Sequence, residues 1–414
     1  MAASENGHQI GEGLPEWLNK ITLEKAIDQQ IGDYKRILKI TTENAAKKGE
    51  NFTSLIMHIK AEVEMPDCST KSATFVLKAH HVNAFMANIL ERLRLFSREE
   101  EMYHKILPKF EYLYSEVGKP VQFSPKAYTF DRDMGVEYVL LEDLKTKQYK
   151  HAHRMEGLDM DHMKEVLKKI AEFHAASACY VEHYGMFGED FTVGLFQEKN
   201  KALLKEFNAS GAFLNQLKKW KNCQQYYEKL ADSDDFLVDR LLEDQRVNNR
   251  QFNVLNHSDL WTNNILFQYD AFGKIKNTLL VDFQMSKYGS PAYDLYYLIL
   301  SSAKKDIKLA QFDYMIRFYY DHLIENLKLL QYHRPLPKLQ NIHGNLLKNG
   351  LAAYMVVSKV LPLAMLDKTD DVTMENYTAD ESKLKADMFG NHKYCQAMME
   401  LLPWLDNRGL LDWK

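Results

Sequence analysis

Cysteine is scarce in this chain: four residues in 414, at Cys68, Cys179, Cys223 and Cys395, with no CxxC spacing. That pattern excludes a disulfide framework and a zinc cluster and fits a reducing compartment. Long apolar runs are missing too. Nothing approaches the roughly 20 consecutive apolar residues needed to span a bilayer, and the polar opening MAASENGHQIGEGLPEW lacks the core of a secretory signal. A cytoplasmic protein with no membrane association is expected. Charge of one sign is not concentrated anywhere. The formal net charge is −4 and no basic block stands out, so nucleic acid is not expected as a partner. No repeat or low-complexity segment is present.

What remains is the composition of a soluble globular chain, 46% hydrophobic and 27% charged, long enough for two cores. Residues 1–13 are expected to be disordered, and Leu14 to Ile40 reads as a pair of short helices. In NFTSLIMHIKAEVEM, residues Leu55, Met57, Ile59, Ala61, Val63 and Met65 alternate with polar ones, the mark of a half-buried strand. PDCST supplies a turn and ATFVLKAHHV the returning strand, which carries Lys78 opposite Phe75, Leu77 and Ala79. From Ala84 to Leu107 the spacing becomes helical, with Glu99 on the apolar side and Pro108 as the stop. EYVLLEDL reads as a short inner strand, Tyr138 to Leu141, closing on Glu142 and Asp143. Beyond about residue 144 the chain reads as mostly helical. A central helix carries Met163, Val166, Leu167, Ile170, Phe173 and His174, and the strands NILF and NTLLVDFQ are joined by the turn YDAFGK. The domains expected are therefore 14–143, β-rich, and 144–414, helical.

NHSDLWTNNILF and LLVDFQ place His257, Asp259, Asn264 and Asp282 beside apolar segments, where burying polar groups is unfavourable unless something pairs with them. His-x-Asp-x-x-x-x-Asn followed by Asp on a strand end suits phosphoryl transfer. That reaction needs a carboxylate to orient or deprotonate a hydroxyl, and hard oxygen ligands for Mg2+ at the nucleotide phosphates. Asp259 is the candidate base, and Asn264 and Asp282 are the candidate metal ligands. His257, grouped with Asp259 in the catalytic set, is read as bracing the loop. Lys78 and Glu99 form a candidate ion pair for the α and β phosphates of ATP. KKGENFTS, with Gly49 alone where a glycine-rich loop has three, offers Asn51, Thr53 and Ser54 as weaker phosphate contacts. An ordinary loop reads equally well there.

With these residues in order, the sequence resembles the ecdysteroid 22-kinase-like family of insects, related to choline kinases and aminoglycoside phosphotransferases. The matching segments are GENFTS, FVLKA, FSREEEMYHKILP, VLLEDL, IAEFHAASA, NHSDLWTNNILF, LLVDFQMSKYGSPAYDLYYLILSS and AAYMVVSKVLPL. The resemblance implies an α+β, bilobal protein-kinase-like fold with a small β-rich N-lobe and a larger helical C-lobe. It also implies ATP-dependent phosphorylation of a hydroxyl, and main-chain contacts to adenine at Glu142, Asp143 and Leu144. Asp294 matches the family's structural aspartate, whereas the residues alone suggest a helix cap. Gln284 stands where the glycine of a protein kinase's DFG would be, and no activation segment follows. That favours a small-molecule alcohol acceptor, an ecdysteroid or xenobiotic, taken up by a monomer. A kinase-like binding protein without turnover and a protein kinase are the competing readings.

Overall fold

The computed structural model describes residues 18, 20–44, 54–80, 92–130, 137–208, 210–367, 376–377, 379 and 382–413. The fold is mixed helix and sheet, and the chain divides into two compact units. The first comprises residues 1–92 and 125–146, the second residues 93–124 and 147–414.

Among its described residues the first unit is a five-stranded antiparallel sheet in the order β1-β2-β3-β5-β4, with one α-helix, α1 (Lys20–Ile31). The strands are β1 (Arg36–Asn44), β2 (Ser54–Glu64), β3 (Thr70–His80), β4 (Ala127–Tyr128) and β5 (Tyr138–Glu142). Alternation along β2 and β3 places Ile59, Ala61, Val63, Phe75, Leu77 and Ala79 in one apolar core with Leu23, Ala26 and Ile27 of α1. Here the structure corrects the sequence reading, because the second of the two expected short helices is β1. The cause is a bulge. Ile37 pairs with Val63 and Lys39 with Glu62, so one extra residue lets Ile37 and Ile40, three apart, face the same core. That spacing mimics a helix.

The second unit begins with a rod of three parts: α2 (Leu95–Glu101), a π turn (Met102–Ile106) and α3 (Leu107–Glu116). Pro108 was expected to stop this helix and does not. The Leu107 amide bonds back five residues to the Met102 carbonyl, so the rod absorbs a proline that has no N–H and would crowd the carbonyl four residues back. The same device recurs before Leu361-Pro362, where a π turn (Val356–Val360) ends with the Leu361 amide on the Val356 carbonyl. The rod was also expected to belong with the β-rich domain. It falls in the second unit because Phe110 meets Phe173 and Tyr180 edge-on, with ring centroids 5.3 and 5.7 Å apart, and the Tyr114 hydroxyl donates to the Glu172 carbonyl.

Those partners lie on the expected central helix, α4 (Met160–Tyr184). It is capped by Asp159, which accepts from the His162 amide, and closed by Gly185 at φ +87°. Over it lie two small antiparallel pairs, β6 (Val254–Asn256) with β9 (Lys287–Gly289), and β7 (Ile265–Tyr269) with β8 (Ile275–Leu280). Helices α5 (Ala292–Ser302) and α6 (Phe312–Leu329) follow, and further helices run to residue 407. No single helix among the described residues is long and apolar enough to cross a membrane.

Candidate active site

The segment from His257 to Asn264 links β6 to β7, and three layers of contacts fix it. The deepest is Asp294, in the first turn of α5 and wholly buried. Its carboxylate accepts the His257 amide at 2.7 Å and the Ser258 amide at 2.8 Å, and it meets His174 Nε2 at 3.1 Å. Nδ1 of His174 meets the Tyr319 hydroxyl at 2.8 Å. One turn further along α4, the Ser177 hydroxyl accepts the Leu255 amide. The loop's entry is therefore pinned to α4 and α5 through main chain. Ser258, at φ +64°, makes the tight bend this requires.

His257 belongs to the second layer. It is fully buried, its Nε2 lies 3.0 Å from the Val281 carbonyl, and its Nδ1 accepts the Asp259 amide at 3.3 Å. A carbonyl requires a donor and an amide an acceptor, so these partners define the neutral Nε2–H tautomer. Burial pushes the imidazole below its ordinary pKa. With both nitrogens engaged on main chain, the ring ties the residue after β8 to the loop.

The third layer is the polar tip of the loop. Asp259 accepts from the Asn264 amide group at 2.8 Å on one oxygen and from the Tyr297 hydroxyl at 2.5 Å on the other. Asn264, at the end of a 3-10 turn, also donates to the Asp259 carbonyl, while its own carbonyl accepts the Val281 amide at 3.0 Å. That last bond sets Asn264 beside the residue preceding Asp282. Asp282 itself has φ +68° and ψ +62° and donates its amide to the Tyr103 hydroxyl at 3.3 Å. A left-handed non-glycine at such a place is strain held by its surroundings. Phe283 beyond it is buried against Tyr103, His257 and Phe173. Asp259, Asn264 and Asp282 are thus brought together.

Glu99 is tied to the same turn. It is buried on α2, and Tyr103, one turn along, is pushed to a high pKa by burial first and then by the charges of Glu99 and Asp282. Its neighbour Arg98 donates to the Gln284 carbonyl at 2.8 Å, fixing the stretch after Asp282. Sequence reasoning passed over Arg98, Tyr103 and Tyr297. Only spacing could have found them, since Arg98 adjoins Glu99 and Tyr297 lies one turn after Asp294.

In the first unit, Lys78 is buried on β3 between Ile56 and Val139 of the flanking strands. The adenine contacts expected at Glu142, Asp143 and Leu144 are main-chain ones, and the Asp143 side chain is engaged elsewhere. Its carboxylate meets His58 Nδ1 at 3.1 Å and accepts the Lys145 amide. Burial opposes its ionisation, but these bonds prevail and hold its pKa below the usual range. The amides of Glu142 and Asp143 donate to the Lys126 and Thr74 carbonyls, so neither can donate to a base. Leu144 is buried at the start of a 3-10 turn. Asn51 and Thr53 lie outside the described residues, and Ser54 opens β2.

Among the described residues no three His, Cys, Asp or Glu side chains form a protein-only metal cage. The donors at hand are the Asn264 amide oxygen and the Asp282 carboxylate, both hard oxygens. A set of that size suits a magnesium ion held mainly by nucleotide phosphates and water rather than by protein.

A paired carboxylate and an asparagine thus share one loop, with a second aspartate just past β8. The chain belongs to the ecdysteroid kinase-like family, whose model matches residues 48–332, more than half of the sequence. The matched span holds Lys78, Glu99, Asp259, Asn264, Asp282 and Asp294, and ends before the last helices. No curated protein matches the chain.

Proposed function

We propose that this protein is an ATP- and magnesium-dependent kinase for the hydroxyl of a small alcohol, with an ecdysteroid or a hydroxylated xenobiotic as acceptor. The observation that carries this reading is the convergence of Asp259, Asn264 and Asp282 through the Asn264 bonds to Asp259 and Val281. Asp259 orients the acceptor hydroxyl. Its oxygen attacks the γ-phosphorus, a new O–P bond forms as the bond to the β–γ bridging oxygen breaks, ADP departs and the hydroxyl proton passes to Asp259 and then to water. Asn264 and Asp282 would hold the magnesium, which when bound supplies positive charge to the phosphate oxygens. In the first unit, Lys78 is the proposed contact for the nucleotide's phosphates. The expectation of a cytoplasmic monomer stands as part of the same proposal.

Incubation with Mg·ATP and a panel of ecdysone, a phenol and a glucoside, followed by mass spectrometry, tests the activity. A mass gain of one phosphate on a panel member is expected. Nucleotide binding with every acceptor left unphosphorylated would overturn it. Asp259→Asn should lower turnover by a factor on the order of 10²–10⁴, the contribution of a positioned base, and leave nucleotide affinity unchanged.

A further inference from the structure

The loop is fastened to α5 at three places along that helix. Asp294 takes the amides of His257 and Ser258, the Tyr297 hydroxyl donates to Asp259 Oδ1, and the Ser302 hydroxyl accepts the Thr262 amide at 3.0 Å. Asp294 and Tyr297 are three apart and so share a helix face. Two of these attachments go to main chain. The remaining one goes to the side chain that, on the function proposed above, must face the acceptor.

We propose that Tyr297 is a positioning residue for phosphoryl transfer, fixing the plane of the Asp259 carboxylate from one oxygen while Asn264 fixes it from the other. A carboxylate held at one oxygen alone can turn about its Cβ–Cγ bond. Held at both, it presents one orientation to an incoming hydroxyl, which is the preorganisation that in-line attack requires. The donor is secure: burial first, then the Asp259 charge and hydrogen bond, keep the Tyr297 phenol protonated well beyond its ordinary pKa. The main chain at Tyr297 also accepts from the Ser301 hydroxyl one turn on, at 2.5 Å. Tyr297 and Asp259 each keep part of their surface exposed, although the phenol oxygen itself is desolvated.

The proposal rests on the kinase reading, and its test separates the two. Tyr297→Phe keeps the ring and removes the donor, whereas Tyr297→Leu removes both. For the panel member that the wild-type protein phosphorylates, Tyr297→Phe should lower kcat about tenfold or more, with KM for ATP and Mg·ATP affinity within about twofold. If Tyr297→Phe turns over like wild type and only Tyr297→Leu is impaired, the ring matters for packing and the proposal is overturned. A crystal structure of full-length Tyr297→Phe decides the matter without turnover. The Asp259 carboxylate should rotate away from the Asn264 amide or occupy two orientations, and an unmoved carboxylate overturns the proposal. A wild-type protein that phosphorylates nothing counts against the proposed function, and the carboxylate result still decides the role of Tyr297.

Discussion

Asp294 and Asp282 illustrate opposite uses of a carboxylate. Asp294 touches no reacting atom. It is buried with a histidine and two amides as partners, and removing one partner from such a buried charged cluster costs roughly 3–5 kcal/mol. Asp294→Ala should therefore shift the urea midpoint to much lower denaturant, and a midpoint near wild type would show that the loop holds itself. Asp282 is strained at φ +68°, and glycine takes that conformation without penalty. Asp282→Gly should stay within about 1 kcal/mol of wild-type stability while losing phosphoryl transfer, a pairing checked by denaturation and activity on one sample. Lys287 gives a third expectation. Its ammonium donates to the carbonyls of Thr192, Gln245 and Tyr288, and burial, then the Arg98 charge, push it down to about 7. Between pH 7 and the ordinary lysine range the unfolded chain binds a proton that the folded chain does not, so this group makes folding more favourable as pH rises there. Lys287→Met should flatten that part of the profile of Tm against pH relative to wild type.

At the scale of elements, much of the architecture was legible. The alternation in β2 and β3 and the i, i+3, i+4 spacing of α4 follow from burial of one face, which leaves a periodic trace. Failures came where a local irregularity altered the period. A bulge gave β1 a helical spacing, and a π turn carried a helix past Pro108. Site residues divided in the same way. Asp259, Asn264 and Asp282 stand out as candidates because the proposed chemistry fixes their type and spacing, and Tyr297 does not, because a tyrosine on an apolar helix face looks like core. Aromatic residues of the later helices meet one another, as Phe213 does with Trp220, Tyr354 and Phe389. Close approach of elements brings another prediction. A Cβ at Gly350 would lie 2.7 Å from the Leu410 carbonyl oxygen, a main-chain atom that cannot swing aside. Gly350→Ala should destabilise by about 1–3 kcal/mol, the usual cost of overpacking, measurable as a lower urea midpoint with the same slope.

On the whole-molecule scale, the proposed nucleotide ties function to stability. A ligand bound only by the folded state adds about 2.7 kcal/mol at a hundred times its Kd, so saturating Mg·ATP should raise Tm, and Asp282→Asn should reduce the part of the shift that depends on magnesium. The order of the chain has a different consequence. It leaves the first unit after residue 92, returns at residue 125 and leaves again after residue 146. As the polypeptide emerges from a ribosome, β1, β2 and β3 can form a meander early, but the strand that covers the outer edge of β3 is made only once the whole α2–α3 rod has been synthesised. For that interval a nascent sheet presents an unpaired edge, the kind of surface on which two growing chains can join.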